Sequence, residues 1–577
     1  MILVFGGTTE GRKAVEVLEE SGNRYYYSTK TGEQELTLHH GIRLDGALNE
    51  EAMCAICEQQ HIQLLVDAAH PFARELHTTV LEVASRLHLP VIRFERIYPP
   101  RDTDIEWIDD YTQVPKDIHT LLATTGVQSI RQLKYLEEQG VRVIYRILDR
   151  QSSRQLAYDQ GATDEQLCFY EEGGTITVDA DAILMKESGG SGGFVEKVTE
   201  ARTRGMRVIA LKRPVFPFTH CVDGPHGLRR KIEQLLPDFF PLHSGLTTGT
   251  CATAAAIAAT IRLLKNETPK EVSVLLPDGE SIMVSVGYGK DDAYCIKEAG
   301  DDPDVTDGIE IHAQVEPSDH FQILGGSGVG HFTLPGFDFP PGEPAINKGP
   351  RQMLMTNLSP LTSHLLPLKI TLSVPDGAEI AKRTFNPRLG IEGGISIIGV
   401  SGIVKPFSEE AFLDAIRKCL TVAKASGAER VVINSGGKSE RFVHARYPQL
   451  PSQAFVEYGN YIGATLQMAH ELDIPRVTLG VMLGKAVKLA AGHLDTHSRK
   501  TTMDLTFVQS LLDEAGISLD IRHITLAREL WEVIPPSRLQ TFATTVIRHC
   551  AQHCRPLLPQ GELTILLIDD QGHLYSE

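Results

Sequence analysis

The sequence predicts an α/β protein made of two joined halves, the second opening with a mixed α+β segment before it returns to α/β alternation. Three observations carry this. Short apolar runs of buried-strand type, at 2–5, 64–66 and 182–185, each end in a glycine-rich or polar loop that precedes helical periodicity. A second beginning stands mid-chain, where Ser244-Gly245-Leu246-Thr247-Thr248-Gly249-Thr250-Cys251-Ala252 leads into an alanine-rich stretch of high helix propensity. Just upstream, Pro237 and Pro241 punctuate a boundary, which divides the chain into 1–241 and 242–577.

The 577 residues suffice for about four folding units, so each half has room for two lobes. Basic residues number 56 against 74 acidic, a net charge of −18. The resulting long-range field repels nucleic acid and anionic membranes, so an anionic substrate needs a local cluster of Arg and Lys. No stretch reaches the ~18 unbroken apolar residues of a membrane span. No basic region precedes the first apolar run, so a signal peptide is not expected and a cytoplasmic location is. Nine cysteines, an odd number, fit reduced thiols. Cys54 with Cys57, and His549/Cys550 with His553/Cys554 at helical i, i+4 spacing, read as ordinary helix residues, and no metal site is expected.

In the first half, 2–5 is a strand and 10–21 a helix. The loop between them, Gly6-Gly7-Thr8-Thr9-Glu10-Gly11, can offer backbone N–H groups and a helix N-terminus to a phosphate. Thr8 stands where a full dinucleotide fingerprint has its second glycine. The strand at 25–27 ends in Ser28-Thr29-Lys30, and hydroxyls plus a lysine suit a 2′-phosphate better than a bare ribose, which favours NADPH over NADH. The strand at 64–66 runs into Asp67-Ala68-Ala69-His70-Pro71-Phe72-Ala73, at a strand end where α/β sheets take ligands. Asp67 and His70 are the candidates for proton transfer, or else bond the neighbouring loop backbone. A further strand is 91–94. The alternation then restarts with strands at 121–123, 141–148, 182–185 and 208–211 and a helix after Gly126. The loop Lys186-Glu187-Ser188-Gly189-Gly190-Ser191-Gly192-Gly193, between a strand and a helix, reads as an anion cradle.

Gly6-Gly7-Thr8-Thr9-Glu10, the Asp67 to Ala73 block, Lys186-x-Ser188-Gly189-Gly190 with Lys197, and Lys212-Arg213-Pro214 together resemble the precorrin-6A reductase family of cobalamin biosynthesis. The resemblance implies two Rossmann-like lobes, with a nicotinamide cofactor (NADPH or NADH) and a tetrapyrrole between them. It places Gly6, Gly7, Thr8, Thr9, Ser28, Lys186, Ser188, Gly189 and Gly190 at the cofactor. The stretch Gly41-Ile42-Arg43-Leu44-Asp45-Gly46 is similar to the form acting on cobalt-containing intermediates.

In the second half, alternating runs at 272–276 and 281–286 flank Pro277-Asp278-Gly279 as a hairpin. Asp301, Asp302 and Asp304 either hold Mg²⁺ or ribose hydroxyls, or cap a turn. The densest block is 384–399, with Asn386, Arg388, Gly390, Gly393, Gly394, Ser396 and Gly399. Ser408 with Glu409 and Glu410 starts a helix. Val431-Val432-Ile433-Asn434-Ser435-Gly436-Gly437 is a strand into a glycine loop, and 477–482 is another strand. Gly480-Val481-Met482-Leu483-Gly484-Lys485-Ala486 is one residue short of a phosphate-binding P-loop and lacks its Ser/Thr, which argues against a phosphotransferase. A non-catalytic tetrapyrrole-binding module is the other alternative.

Thr247 to Ala252, Gly300 to Thr306, Gly342-Glu343-Pro344-Ala345-Ile346-Asn347, 384–399 and the Gly484-Lys485 to Ser498 stretch resemble the cobalt-precorrin-5B C(1)-methyltransferase family. The resemblance implies S-adenosyl-L-methionine as methyl donor, cobalt-containing tetrapyrrole intermediates as substrates, a non-Rossmann start, and other corrin-pathway enzymes as partners. The donor is then expected on Thr247, Thr248, Gly249, Asn386, Gly393, Gly394, Ser396 and Gly399. Substrate carboxylates are expected on Arg351, Arg388 and Lys485, with His493 and His497 as further substrate contacts. Methyl transfer to an electron-rich ring carbon asks for alignment and electrostatic matching more than for an acid or base.

Overall fold

Residues Ile2, Leu3, Val4, Leu64, Leu65 and Val66 have no exposed surface. Strands buried on both faces read as unbroken apolar runs, as parallel strands covered by helices do. The computed structural model describes residues 1–30, 35–170, 174–362, 367–498 and 500–577. The chain divides into two units, Met1–Ser244 with Ser273–Met283, and Gly245–Val272 with Val284–Glu577.

The first unit holds two six-stranded, wholly parallel sheets. One has the order His220–Val222, Val91–Phe94, Leu64–Asp67, Ile2–Phe5, Tyr25–Thr29, Gly41–Asp45. The other runs Glu106–Ile108, Arg207–Leu211, Ala182–Lys186, Thr120–Ala123, Arg142–Leu148, Leu167–Tyr170. Thr8 caps the helix Thr9–Glu19 by accepting from Gly11 N–H. The helix expected after Gly126 starts only at Ile130, because Val127–Ser129 forms a tighter 3₁₀ turn. The first sheet is completed from far along the chain. After the second sheet the chain returns as the strand His220–Val222 and the helix Pro225–Leu235, whose Leu228 and Ile232 enter the first sheet's core.

The expected hairpin forms between Glu271–Leu275 and Ser281–Ser285, and its tip, Ser273–Met283, belongs to the first unit. Glu280, 2% exposed, accepts from His226 N–H at 3.0 Å and from Gly227 N–H. It thereby satisfies orphan donors at the start of the helix Pro225–Leu235. The folding units therefore do not follow one cut in the sequence.

In the second unit, Thr247 accepts from Thr250 N–H at the N-terminus of the helix Thr248–Lys265. Ala252, Ala254, Ala255, Ala256 and Ala258 are buried in it, and their small side chains let it pack closely on the strands Ala293–Ile296 and Glu310–Pro317 and on the helix Lys348–Thr362. Those strands belong to a five-stranded sheet in the order Gly287–Tyr288, Ala293–Ile296, Glu310–Pro317, Leu368–Ser373, Gln322–Gly325. The C-terminal sheet has the order Phe455–Glu457, Val431–Asn434, Arg476–Met482, Glu562–Ile568, Leu574–Tyr575, parallel except for its last strand. Ser408 caps the helix Glu409–Ala425. No helix among the described residues is long and apolar enough to cross a membrane.

Candidate functional site

In the first unit the chemistry-bearing residues gather at the carboxyl ends of its strands. Gly6 and Gly11 leave room for the Tyr27 ring, which a side chain at either position would overlap, and Tyr27 Oη accepts from Gly7 N–H at 3.0 Å. Gly7 is exposed, at φ 85°, with open space where a side chain would stand. Thr8 Oγ1 donates to Ala68 O at 2.6 Å, joining this loop to the block after Asp67. Thr9 is exposed and Ser28 buried.

The cradle 186–193 meets the first loop through Glu10. Arg96 Nε donates to Glu10 Oε2 at 2.9 Å and its Nη1 to Ser188 O at 2.7 Å, while Ser191 Oγ donates to Glu10 Oε1. Gly190 N–H donates to Ile97 O at 3.0 Å, and a side chain at Gly189 would press into Arg96 and Tyr98. Lys186 Nζ lies 5.1 Å from the centre of the Phe72 ring, and burial, with Arg74 nearby, pushes its ammonium down to about 8. Burial lowers Lys197 too, and its Nζ donates to Gly192 O.

The surroundings of Asp67 and His70 set their protonation states. Asp67 is fully buried, and its carboxylate accepts from His77 Nδ1 at 2.6 Å, Arg93 Nη1 at 2.8 Å and Ala69 N–H at 3.1 Å. Burial alone would raise its pKa, but the bond from His77 and the charge of Arg93 outweigh it and hold the carboxyl below the usual range. It has no proton to give at neutral pH. Burial, then the charges of Arg96, Lys186 and Arg93, push His70 down to about 3, so the ring is neutral. Its Nδ1 accepts from Phe72 N–H at 3.2 Å, which leaves the ring proton on Nε2.

Sequence reasoning passed over His77, Arg93, Arg96 and Glu10. Arg93 carried a signal, because an arginine inside the apolar run Val91-Ile92-Arg93-Phe94 can be buried only against a carboxylate. A cleft of about 210 Å³ opens beside this network, lined in part by Pro71, His77, Arg93 and Arg213.

In the second unit the residues expected at the donor do come together, through bonds to one another. Thr248 Oγ1 accepts from Ile398 N–H at 2.8 Å, and Gly249 N–H donates to Ile398 O at 2.9 Å. Asn386 Nδ2 donates to Gly394 O at 3.1 Å, and Ser396 Oγ to Asn386 Oδ1 at 3.2 Å. A side chain at Gly394 would run into the Gly328 and Gly330 backbone, and one at Gly399 into Thr247. These glycines serve close backbone packing. Gly393 is exposed, as are Ile398 at 47% and Val400 at 82%.

Arg351 is engaged in its own loop, donating to Ile346 O at 2.9 Å and to Glu343 at 3.1 Å. Arg388 pairs with Glu440 at 3.0 Å. Lys485 donates to Gly459 O, and burial pushes its ammonium down to about 8. It lies in the helix Leu483–Ala490, which begins directly after the strand Arg476–Met482, so no phosphate loop exists there. His493 is exposed and His497 half-buried, on the far side of Asp495, which pairs with Lys500. The aspartate cluster is a turn: Asp304 takes Lys297 at 2.7 Å and Thr306 N–H at 2.8 Å, and Asp307 takes Ala299 N–H. Cys550 and Cys554 are buried in the core, and His549 pairs with Glu514. The one grouping with metal-ligand spacing among the described residues is His226, Asp278 and Glu280, where Glu280 already accepts two backbone amides.

Residues 238–406 match the family model CbiD, and residues 1–232 match the model for precorrin-6x reductase CbiJ/CobK. The cobalt-precorrin-5B C(1)-methyltransferase of Prosthecochloris aestuarii is 41% identical over 348 residues, which cover 57% of this chain and 94% of that protein. The Thermus thermophilus enzyme of the same name is 40% identical over 313 residues, covering 53% of this chain and 85% of its own. Among solved structures, the cobalamin biosynthesis protein CbiD of Archaeoglobus fulgidus matches 45% of this chain and 84% of its own at 28% identity and TM-score 0.27. A CobK precorrin-6A reductase matches 41% and 97% at 19% identity and TM-score 0.33.

Proposed function

The chain belongs to the cobalt-precorrin-5B C(1)-methyltransferase family, and from that premise, with its first 232 residues matching the precorrin-6x reductase model, we propose that it is a bifunctional enzyme of cobalamin biosynthesis. One activity methylates cobalt-precorrin-5B at ring carbon 1 with S-adenosyl-L-methionine. The other reduces a double bond of the methylated macrocycle with a nicotinamide cofactor, NADPH being the better fit to Ser28-Thr29-Lys30.

The observation that supports the reductase reading best is the pairing of two glycine loops through Glu10, Arg96, Ser188 and Ser191. The cofactor, when bound, supplies the hydride. The residues around it bind and orient. The open, exposed turn at Gly7 and the first amides of the helix Thr9–Glu19 suit a phosphate. Lys186 and Lys197 supply positive charge from the facing loop, in a chain whose net charge is strongly negative. His70 offers an Nε2–H from a ring that stays neutral, and Lys186, poised near neutrality, is the group able to hold a transferable proton. Asp67 holds His77 and Arg93 in place behind them.

For the methyltransferase, the knot of Thr248, Asn386, Gly394 and Ile398 is a rigid support. Its exposed Ile398 and Val400 give an apolar surface for a macrocycle, with Arg388 on the same segment for a carboxylate. The alternative of a phosphotransferase loses its loop to the helix at Leu483–Ala490.

The test of the cofactor assignment is titration of NADPH and NADH into the full chain and its Gly7→Val variant. Valine at φ 85° is strained and covers the open turn, so nucleotide affinity should fall at least tenfold, about 1.4 kcal/mol. Unchanged affinity would overturn the placement.

A further inference from the structure

The C-terminal sheet carries a second nucleotide-like arrangement that the sequence motifs do not assign. Its first strand in chain order, Val431–Asn434, has the second, Phe455–Glu457, on one side and the third, Arg476–Met482, on the other. The chain thus reverses its direction across the sheet at Val431–Asn434, and open parallel sheets take ligands at the carboxyl end of such a switch point.

What leaves that strand is a glycine turn. Gly436 and Gly437 have φ 84° and 51°, and the turn opens the helix Gly437–Arg446. Asn434 fixes the turn, its Oδ1 accepting from Gly436 N–H at 2.7 Å. The neighbouring strand ends in Glu457, whose carboxylate sits so close to the turn that a side chain at position 436 would overlap it. Glu457 stands about 20 residues past the glycine turn, the spacing at which an acidic residue holds a ribose hydroxyl pair.

No donor among the described residues hydrogen-bonds the Glu457 carboxylate. Burial raises its pKa, and Glu440 raises it further, against the charges of Arg388 and Lys485. A partly desolvated carboxylate without donors is a costly arrangement, which two hydroxyl donors relieve. Lys485 ties down the loop after Glu457 by donating to Gly459 O.

We propose that this switch point binds the adenosyl end of the methyl donor, with Glu457 accepting from the ribose hydroxyls and Gly437, beside which there is open space, letting the ligand approach the backbone. This rests on the methyltransferase reading above. The shared chemistry is a ribosyl-adenine, carried by S-adenosylmethionine and by a nicotinamide dinucleotide alike, and the experiment separates the two.

The full chain and its Glu457→Gln and Glu457→Ala variants are titrated with S-adenosylhomocysteine, with NADPH, and with adenosine against 2′,3′-dideoxyadenosine. S-adenosylhomocysteine should bind the variants about 10- to 100-fold more weakly, as for loss of hydrogen bonds to a charged group. NADPH, held by the first unit, should bind all three chains equally, and unchanged thermal unfolding reports that the second unit of each variant folds. Removing the ribose hydroxyls should weaken adenosine for the parent chain and leave Glu457→Ala unaffected, a coupling that a merely structural role of Glu457 would not produce. Equal S-adenosylhomocysteine affinity in all three chains overturns the placement, as does a parallel loss of NADPH. A parent chain that binds no S-adenosylhomocysteine overturns the methyltransferase reading itself.

Discussion

Lys186 is the side chain through which the proposed reductase site would respond to pH. Its half-buried ammonium lies over the Phe72 ring, and burial brings its pKa down to about 8. Its charge is therefore present below that value and lost as pH rises through it. Binding of an anionic ligand, cofactor phosphate or macrocycle carboxylate, should weaken across that window, and Lys186→Met should remove the dependence while lowering affinity at neutral pH. A titration series on both chains checks this, and a pH slope surviving in Lys186→Met would contradict it. Of this proposed site, the two glycine loops and Lys186 stand out in the sequence, but whether a glycine there serves a ligand or close packing, as Gly6 and Gly11 do against Tyr27, is set by the fold. The roles of Asp67 and His70 were not legible. Whether a carboxylate is an acid or a buried counter-ion depends on neighbours such as Arg93 and His77, which only folding brings within 3 Å. The glycines at 393, 394 and 399 stand out in the sequence as a dense block, expected there at the methyl donor. That Gly394 accommodates the backbone of Gly328, however, is a contact 66 residues away along the chain.

Elements follow the same division between local and distant causes. Buried strands such as Ile2–Phe5 and capped helices such as Thr248–Lys265 could be read directly, since apolar runs and capping hydroxyls act within a few residues. The return of His220–Val222 to the first sheet and the membership of the hairpin tip could not, because both are long-range pairings. Glu280 gives that membership its energetic content, capping the helix Pro225–Leu235 where Gly224 leaves room for its carboxylate. Glu280→Ala should lower the stability of the first unit by about 1 kcal/mol, the usual worth of a helix cap. Burial raises the Glu280 pKa to about 7, above its unfolded value. Its contribution is thus fully present below the unfolded value and declines as pH rises through about 7. Thermal unfolding of the full chain should show a larger loss for Glu280→Ala at about pH 5 than at about pH 8, and the reverse order would contradict a pKa raised by burial.

For the whole molecule, the chain passes from the first unit to the second, back for Ser273–Met283, and out again. A cut at 241/242 therefore removes the hairpin tip from the unit to which it belongs, and experiments on the separate first half have to retain it. The proposed activities run in reverse chain order: on that proposal the methylated macrocycle made by the second half is the substrate of the first. Tethering two such sites raises the local concentration of one at the other, up to about millimolar for short connections. The most direct test of the two-step account is one anaerobic incubation of the intact chain with cobalt-precorrin-5B, methyl-labelled S-adenosylmethionine and NADPH, following label and NADPH absorbance together. The account predicts one methyl group incorporated and one NADPH oxidised per macrocycle, with NADPH oxidation dependent on the methyl donor. NADPH oxidation at full rate without the methyl donor, or methyl transfer to a product that the same chain then fails to reduce, would contradict it.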